Sequence, residues 1–242
     1  LIETPQNHQI LIDGGPTPAV LEKLGQEIPF NDRTLDLIIL SHPEKDHITG
    51  LLEVLKRYQV ENILWTGIKR GTAEAKEWEK LIKEEGANVK IAKAGQEIML
   101  STRPVLVEMR ILYPFEDLSG KEFKDSNDTS IVLRLVYGKE SFLFTGDIEK
   151  KSEEKLLKEE IESDVLKVGH HGSKTSSSEK FIEEVSPKIA VIQVGKNNYG
   201  HPTKEVLARL KEFGIDILRT DKDGDIKIVS DGDNLKILNP KH

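Results

Sequence analysis

The sequence predicts an α/β fold, and three observations predict it. Apolar runs of strand length alternate with segments of helical periodicity along nearly the whole chain. Helical segments separate the strands toward both ends, whereas the strands in the middle follow one another as in a meander. No linker rich in proline, glycine or serine divides the sequence. We therefore expect one domain over residues 1–242, with helices covering a layered β core.

Each element follows from its own pattern of apolar residues. The predicted strands are His8–Asp13, Leu35–Ser41, Asn62–Trp65, Pro104–Leu112, Ser130–Tyr137, Ser141–Thr145, Val165–Gly169, Lys188–Val194, Ile215–Arg219, Gly224–Ser230 and Leu235–Leu238. The predicted helices are Pro18–Glu27, Ile48–Tyr58, Thr72–Glu85, Glu149–Glu160, Ser178–Val185 and Thr203–Phe213. Lys and Glu alternate densely in the third and fourth of these helices, which is typical of a solvated face.

The composition excludes several classes of protein. The 242 residues include no cysteine, which rules out a disulfide scaffold, a cysteine nucleophile, a thiolate zinc finger and an iron–sulfur cluster. A net charge of −7 argues against a histone-like DNA-binding protein. No apolar run approaches the ~18 residues of a membrane span, and no signal peptide is visible. Because the sequence opens on Leu1 without a methionine, we expect a mature product or an excised domain.

The strongest motif lies directly after the apolar strand that ends at Leu40. Within six residues it offers four potential metal ligands, His42, Glu44, Asp46 and His47, although the chain has only seven histidines. Polar residues that follow the carboxyl end of a strand are where open α/β proteins place ligands. A metal site is therefore the interpretation that we prefer to a polar loop with coincidental histidines.

Two further motifs repeat the arrangement of a strand followed by polar residues. Asp147 follows the apolar run that begins at Phe142, and its two carboxylate oxygens are able to bridge two cations. The pair His170 and His171 follows another strand, and the side chains of adjacent residues diverge, so that one binds metal while the other faces substrate. The neighbouring Gly169 and Gly172 allow a backbone to approach an ion or ligand closely.

A fourth motif places His201 just before a helix that Thr203 could cap. Alone it is typical of a structural histidine, and it gains meaning only beside the other three motifs. Together these residues suit a pair of divalent ions ~3.5–4 Å apart, which deprotonate a shared water and clamp the oxygens of a phosphodiester. A histidine beyond the ligands then protonates the leaving alkoxide or holds a phosphate.

With these residues assembled, the chain resembles the metallo-β-lactamase fold superfamily. That superfamily carries an Asp in an early strand, a His-x-His-x-Asp-His loop, a later His, a bridging Asp and a final His. Asp13 matches the early Asp, Asp147 matches the bridge, and the loop is matched by His42, Asp46 and His47. The resemblance covers essentially the whole chain and implies an αββα sandwich of two mixed sheets flanked by helices.

The sequence is most similar to the C-terminal domain of the competence DNA-uptake channel family, often called ComEC. That family has an Asp where the wider superfamily has its second His, and it has segments like Val168–Ser178 and Tyr199–Pro202. Here Glu44 stands where the channel family usually has Asp, and no His precedes Asp147 at the superfamily's third position, where Asn127-Asp128 lies.

The resemblance implies two divalent ions, Mn²⁺ or Zn²⁺. Carboxylates favour Mn²⁺ or Mg²⁺ and imidazole favours Zn²⁺, so the position poorer in histidine is expected to prefer Mn²⁺ or to be weakly occupied. That position is assigned to His42, Glu44, Asp147 and Asp128. The other is assigned to Asp46, His47, Asp147 and His171, with the choice between His170 and His171 left open.

The implied activity is a metal-dependent phosphodiesterase or nuclease that uses a metal-bound hydroxide to degrade the strand of DNA that is not imported. Its catalytic residues would be Asp46, His170 and His201, and its substrate-binding residues Ser173, Lys174 and His201. The partners would be DNA and the membrane channel part of the same polypeptide, at the extracellular face of the membrane; a free enzyme would instead be soluble.

One observation supports DNA independently of the resemblance. Residues 165–211 hold eight basic residues against four acidic ones within this acidic chain, and positive charge beside a metal site suits a phosphate backbone. An ordinary basic face explains the same count. Two alternative functions stay open: a DNA- or metal-binding domain with weakened catalysis, suggested by Glu44 and the missing third His, and a phosphodiesterase for small molecules such as phosphorylcholine esters.

Overall fold

A computed structural model describes residues 1–101 and 106–238 of the chain. The chain divides into two compact units. The first unit comprises Leu1–Ala94 and Pro114–Ile131, and the second comprises Gly95–Tyr113 and the chain from Val132 onward. No helix in the described part of the chain is long and apolar enough to cross a membrane.

The first unit is a five-stranded mixed sheet with three helices. Its strands, which are hydrogen-bonded in chain order, are β1 (Ile2–Glu3), β2 (Gln9–Ile12), β3 (Thr34–Ile39), β4 (Gln59–Trp65) and β5 (Asn88–Ile91). Strands β2 to β5 are parallel and β1 is antiparallel to β2. The helices are α1 (Ala19–Glu27), α2 (Lys45–Leu55) and α3 (Ala73–Glu85).

A continuous apolar core stabilises this unit. Eighteen buried side chains between residues 11 and 82 form one cluster, and Trp78 of α3 is fully buried within it. Thr72 caps α3 by accepting a hydrogen bond from the backbone of Ala75, and Gly86 ends it in the left-handed conformation. The helix is therefore defined at both ends as well as by its buried face.

Two glycines bring the loop after β2 against α2. A Cβ on Gly50 would lie 1.9 Å from the carbonyl oxygen of Gly14, and a Cβ on Gly14 would lie 2.3 Å from the backbone nitrogen of Leu51. The crossing is held by hydrogen bonds from the Gly14 nitrogen to the His47 carbonyl, 2.8 Å, and from the Gly50 nitrogen to the Gly15 carbonyl, 2.9 Å. The loop after β2 is thereby fixed to the first turns of α2.

The second unit contains a seven-stranded mixed sheet and a separate hairpin. The sheet runs in the order β12-β11-β10-β9-β8-β7-β6, and β13 pairs with β14 in the hairpin. These strands are β6 (Glu97–Met99), β7 (Val107–Tyr113), β8 (Val132–Tyr137), β9 (Glu140–Phe144), β10 (Val165–Lys167), β11 (Ile189–Ile192), β12 (Asp216–Arg219), β13 (Lys227–Ser230) and β14 (Leu235–Leu238). The helices are α4 (Lys150–Leu156), α5 (Glu179–Val185), α6 (Lys204–Glu212) and α7 (Thr220–Asp223).

The pairing in this sheet follows the chain connections. Strands β6 to β9 form an antiparallel meander, and β9 to β12 are parallel and connected through helices. Short connections permit antiparallel pairing, whereas parallel neighbours need a crossover that a helix supplies. The predicted α/β class, with a meander between helix-linked strands, is confirmed.

Buried acidic groups tie the helices and strands of the second unit together. Glu153 of α4 accepts hydrogen bonds from the backbone nitrogens of Ser177 and Ser178, the latter at 2.8 Å, and so satisfies the start of α5. Burial raises the pKa of Glu153 above its usual value, and these hydrogen bonds only partly offset that effect. The expectation that residues 149–160 form only a solvated face is therefore wrong at Glu153, which is 1% exposed.

A second acidic group connects β9 to β11. Asp164 accepts hydrogen bonds from the backbone and hydroxyl of Ser141, both 2.9 Å, and lies 2.8 Å from the ammonium of Lys188. Burial pushes the pKa of Asp164 upward, but the hydrogen bonds from Lys188 and Ser141 outweigh it and hold the pKa below its usual value.

Every predicted strand and helix has a counterpart, with differences at the ends. The predicted strand Pro104–Leu112 corresponds to β7, and its first two residues lie outside the described part of the chain. Among the described strands and α-helices, β1, β5, β6 and α7 are not predicted, and neither are the short 3-10 helices Asn127–Thr129 and Gly169–Gly172. The second predicted helix begins three residues too late, at Ile48 instead of Lys45.

Candidate metal centre

The first unit carries the predicted ligand loop at the junction of β3 and α2. Glu44 precedes the helix with an extended backbone, and Asp46 and His47 lie in its first turn. The sequence predicts a loop up to Ile48, and this is wrong for Asp46 and His47 because α2 already begins at Lys45. Helical geometry fixes their positions relative to one another, and a ligand atom of Asp46 lies within 4.8 Å of one on His47.

A carboxylate network orients His47. Oδ2 of Asp13 lies 2.7 Å from Nδ1 of His47 and accepts the Ser41 hydroxyl at 2.7 Å, while its Oδ1 accepts the Ser41 backbone N–H at 2.8 Å. Since Nδ1 is held by Asp13, Nε2 is the nitrogen that remains to bind a metal, the arrangement that metal-binding histidines usually show. The structure thus gives Asp13 a positioning role that the sequence did not reveal.

The electrostatics of Asp13 agree with this arrangement. Burial raises the pKa of its carboxyl, but attraction to His47 and the hydrogen bonds of the network outweigh burial and hold the pKa below its usual value. Asp13 is therefore ionised at neutral pH and stabilises the proton on Nδ1 of His47.

His42 lies beside His47 and is completely buried. The two ring centroids are 4.2 Å apart, and Nδ1 of His42 lies 3.1 Å from the hydroxyl of Ser41. One serine hydroxyl therefore lies within hydrogen-bond distance of the Nδ1 atoms of both rings, since the distance to His47 is 3.4 Å.

Glu44 is engaged by partners that are distant in sequence. Its Oε1 accepts hydrogen bonds from the guanidinium of Arg70 and from the hydroxyl of Ser126. Arg70 is held in turn by the backbone carbonyls of Phe123 and Lys124, at 3.3 and 3.2 Å. Only Oε2 of Glu44 lies outside this network, so the ligand role predicted for Glu44 falls on that single oxygen.

Asp128, the other carboxylate assigned to this metal position, lies in a short 3-10 helix, Asn127–Thr129. This helix directly follows Ser126, the residue that donates to Glu44. Asp128 is half-buried. The structure thus places it in the first unit, in the segment that contacts Glu44.

In the second unit, Asp147 follows β9 and is 2% exposed. Lys167, at the end of the parallel neighbour β10, places its ammonium 3.9 Å from Oδ1 of Asp147 and donates to the Gly146 carbonyl at 3.0 Å. The ammonium of Lys167 therefore lies within ion-pair distance of the Asp147 carboxylate. Lys167 was missed as a site residue, although a lysine inside the apolar run from Val165 to Val168 is an unusual signal.

The structure gives different neighbours to the two adjacent histidines. Nδ1 of His171 donates to the backbone carbonyl of Gln193 at 2.7 Å, and its Nε2 lies 3.3 Å from Oδ2 of Asp147. Because a carbonyl only accepts, the proton on Nδ1 leaves Nε2 either to share a proton with the carboxylate or to bind the same cation as Asp147. Nδ1 of His170 instead lies 3.1 Å from Oε1 of Glu149.

The turn that carries both histidines has an uncommon backbone. His170 and His171 have φ values of 46° and 53°, in the left-handed region. Such conformations cost on the order of 1–3 kcal/mol each and persist where surrounding contacts impose them. Here Ser173 donates to the His170 carbonyl at 2.8 Å, and the hydroxyl of Ser176 donates to the Gly169 carbonyl at 2.8 Å.

His201 lies next to His170 in the same unit. The two ring centroids are 5.5 Å apart, and the ring of Tyr199 stacks on His201 at 5.9 Å. Asn197 fixes the loop through hydrogen bonds to the backbone of both Tyr199 and His201. Burial, together with repulsion from His170 and His171, lowers the pKa of His201, so its imidazole is neutral at pH 7.

Gly172 determines how this loop meets the histidine turn. With φ of 79°, it would place a Cβ 2.6 Å from the Cβ of Pro202. The sequence predicts that Gly172 lets the backbone approach an ion or ligand closely. In the structure the group that lies close to Gly172 is Pro202, the residue after His201. Thr203 precedes α6 as predicted, but its hydroxyl lies 3.3 Å from the Gly172 carbonyl and forms no cap.

The predicted substrate-binding residues differ in accessibility. Ser173 is buried, and its hydroxyl lies 2.9 Å from that of Thr175, which donates to Oε1 of Glu149 at 2.7 Å. Lys174 is exposed at the surface of the same turn.

The donor chemistry in each unit suits a divalent ion. Imidazole and carboxylate are ligands that Zn²⁺ and Mn²⁺ both accept. The Nδ1 atoms of His47 and His171 are both fixed by oxygen acceptors, which is how a histidine that binds a metal through Nε2 is usually oriented. The residues present therefore fit a metal in both units.

Comparison with known proteins agrees with this chemistry. The profile of the metallo-beta-lactamase superfamily matches residues 1–196. The chain is 34% identical over 244 residues to ComE operon protein 3 of Bacillus subtilis and 32% identical over 234 residues to competence protein ComA of Neisseria gonorrhoeae. These matches cover 92% and 93% of the chain, but only 30% and 29% of the two relatives.

A solved structure shows the same fold. CmlA, a diiron beta-hydroxylase from Streptomyces venezuelae, matches with a TM-score of 0.50 at 13% identity, over 89% of this chain and 46% of CmlA. At that identity the likeness concerns the fold alone. The predicted metallo-β-lactamase-like α/β fold is confirmed, and the chain belongs to the metallo-beta-lactamase superfamily.

Proposed function

We propose that this chain is a metal-dependent phosphodiesterase that hydrolyses DNA. The observation that carries the proposal is the orientation of His47 and His171, each of which has Nδ1 held by an oxygen acceptor, so that Nε2 is the nitrogen through which either ring would bind a metal. Members of this superfamily are generally metal-dependent hydrolases, and similarity to a competence protein over 93% of the chain favours DNA as the substrate.

The ligand assignment follows the order of the superfamily's motifs along the sequence. We propose two divalent ions, Mn²⁺ or Zn²⁺, with Asp147 as the shared ligand. The remaining ligands would be His42, Asp46, His47 and His171, with Glu44 and Asp128 completing the position that is poorer in histidine. When bound, the ions supply positive charge to the scissile phosphate and lower the pKa of the attacking water.

The protein's own groups then move and hold protons. Asp46 would accept the proton of the attacking water. His170, oriented by Glu149, would protonate the leaving alkoxide. His201, with its lowered pKa, would be a neutral imidazole that donates a hydrogen bond to a phosphate oxygen. Ser173 and Lys174 were predicted to bind substrate, and exposed Lys174 is the better placed of the two to do so.

We extend the proposal to the setting of the reaction. The match covers only 30% of ComE operon protein 3, so in that relative the similar region is part of a larger polypeptide. We propose that it works beside the membrane channel part of the same polypeptide, at the extracellular face, where it degrades the strand that is not imported.

The test uses the purified chain and labelled DNA. Single- and double-stranded oligonucleotides are incubated after chelation with EDTA and after addition of Mn²⁺ or Zn²⁺. We expect cleavage to return with one of these ions and to be absent from Asp147→Asn, whereas Asp221→Asn, an exposed carboxylate paired with Arg219, should cleave normally. The proposal fails if neither ion restores cleavage, and the bridging role fails if Asp147→Asn retains normal turnover.

One observation favours a second candidate, a DNA-binding domain with weakened catalysis. Because Oε1 of Glu44 is engaged by Arg70 and Ser126, the metal position poorer in histidine has lost part of its donor set. Metal content per chain distinguishes the two candidates. One ion together with DNA binding but no hydrolysis would favour the weakened domain, and two ions would oppose it.

A further inference from the structure

The second unit contains a surface cleft, and the proposed reaction uses only Glu149 and Lys174 of its lining. Its volume is about 540 Å³, within the ~300–1,000 Å³ of typical ligand pockets. Three segments contribute its walls: the start of α4, the turn after the paired histidines, and α6. The lining residues are Glu149, Lys150, Lys151, Lys174, Thr175, Glu205 and Arg209.

The charge of the lining favours an anion. Four of the lining residues are cationic and two are anionic. One of the two anions, Glu149, already accepts a hydrogen bond from the Thr175 hydroxyl at 2.7 Å. Arg209 is anchored because its Nη1 donates to the Ser177 carbonyl, and a guanidinium has further N–H groups for an anion. The cleft thus offers an anchored guanidinium and three lysine ammonium groups to an anion.

The cleft lies next to a group of the proposed reaction. Oε1 of Glu149 lies 3.1 Å from Nδ1 of His170 and 2.7 Å from the hydroxyl of Thr175, and both Glu149 and Thr175 line the cleft. The backbone of Lys150 also donates to the Thr175 carbonyl at 2.9 Å, which fixes the two walls to each other. One carboxylate therefore belongs both to the cleft and to the surroundings of His170.

We propose that this cleft binds a backbone phosphate of the DNA strand that flanks the scissile bond. The proposal rests on the proposed function, because DNA is its ligand. The flanking position follows from the single carboxylate that lies between the cleft and His170. Phosphate contacts of this kind position a strand without reading its sequence.

The experiment measures binding without hydrolysis. A fluorescein-labelled single-stranded oligonucleotide is titrated in EDTA, and its anisotropy is followed from 0.05 to 0.3 M salt. Each lost phosphate contact should lower the slope of log K against log salt by ~0.7 on single strands. Lys150→Ala/Lys151→Ala should therefore lower the slope by about 1.4 and weaken binding about 25-fold at 0.1 M salt.

Matched variants separate a specific cleft from general surface charge. Lys180→Ala/Lys222→Ala removes two exposed lysines of the same unit that do not line the cleft, and it should change affinity less than threefold. Lys150→Arg/Lys151→Arg keeps the charge and should bind like the parent chain. Circular dichroism of each variant verifies the fold.

Three results would overturn the proposal. The first is an equal loss of DNA affinity in the Lys150/Lys151 and Lys180/Lys222 variants, and the second is the absence of DNA binding by the parent chain. The third is displacement of DNA by inorganic phosphate at constant ionic strength, which would assign the cleft to a small anion. Failure of the proposed function looks different. In that case DNA still binds with the cleft-dependent slope, but neither Mn²⁺ nor Zn²⁺ supports cleavage.

Discussion

Asp13→Asn tests whether the network behind His47 determines metal affinity. The change is isosteric and reverses the polarity of one carboxylate atom. Oδ2 of Asp13 accepts from both His47 and the Ser41 hydroxyl at 2.7 Å, whereas an amide NH₂ in its place only donates. His47 then has to accept at Nδ1, which moves its proton to Nε2, the atom proposed to bind metal.

The alternative orientation of the amide is also unfavourable. In the parent chain the backbone N–H of Ser41 donates to Oδ1 of Asp13 at 2.8 Å. The alternative orientation places NH₂ of the asparagine opposite this N–H and leaves the donor unsatisfied, at a cost of about 1–3 kcal/mol. Removal of a group that orients a metal-binding histidine typically lowers metal affinity 10- to 100-fold. At room temperature this corresponds to about 1.4–2.8 kcal/mol of binding free energy.

The assay is isothermal titration with Mn²⁺ and Zn²⁺ under chelator buffering, together with ¹⁵N NMR of the histidine rings to identify the protonated nitrogen. Asp36→Asn is the matched control, because Asp36 holds Nδ1 of His8 at 3.0 Å and the Gln9 nitrogen at 2.7 Å on the same sheet. The control should bind metal like the parent chain. The reasoning is refuted if Asp13→Asn binds metal within twofold of the parent chain and keeps the proton on Nδ1 of His47.

The remaining predictions concern catalysis and stability. Glu149→Gln should lower turnover ~10- to 100-fold through loss of orientation of His170, with unchanged metal content by mass spectrometry; a loss of metal would instead make His170 a ligand. Asp164→Asn should lower the free energy of unfolding in urea by about 1–2 kcal/mol at pH 7 and by progressively less below pH 4. A lowered pKa stabilises the fold above the usual value near 4, and this contribution disappears as the pH falls through the native pKa; a cost that does not fall with pH would contradict this. Gly50→Ala should lower the free energy of unfolding by ~3 kcal/mol or more, because its Cβ would lie 1.9 Å from a backbone oxygen. Gly25→Ala, at a helical position of α1 with open space around it, should raise the free energy of unfolding by about 0.5–1 kcal/mol. Similar unfolding midpoints for the two variants would refute the steric argument.

The sequence predicted the buried elements better than the exposed ones. Strands β2, β3 and β9 carry continuous apolar runs, so their positions are found to within one or two residues. Strands β5 and β6 are edge strands with mostly exposed side chains, and at four and three residues they are too short for apolar alternation or an apolar run to mark them. The order of strands in the meander followed from the short connections between them.

The start of α2 shows why a site obscures its own secondary structure. Hydrophobic periodicity begins at Ile48, where the buried face begins, and the sequence prediction starts the helix there. The first turn carries Asp46 and His47, which are polar residues and add nothing to the hydrophobic periodicity. A polar first turn resembles a loop in sequence, and the start of the helix is therefore placed too late.

Contacts between distant residues lie beyond what sequence patterns reveal. Glu44 is 26 residues from Arg70 and 82 residues from Ser126, and no local pattern links them. The role of Asp13 is similar, since 34 residues separate it from His47. The residue types suggested a metal centre, but the fold alone shows which groups orient the proposed ligands.

The crossing of Gly14 and Gly50 has a thermodynamic consequence for metal exchange. It joins the Asp13 loop to α2 through backbone hydrogen bonds above an eighteen-residue apolar core, so the fold itself holds the candidate ligands of the first unit. A chelator should therefore remove ions without unfolding the protein, unlike a zinc finger, whose folding depends on its metal. Added metal should raise the melting temperature only by mass action, and a free metal concentration of a hundred times Kd should add about 2.7 kcal/mol to the free energy of unfolding. One ion should then replace another without a change in the backbone around the ligands. The metal in a purified sample would therefore reflect the ions available during its production.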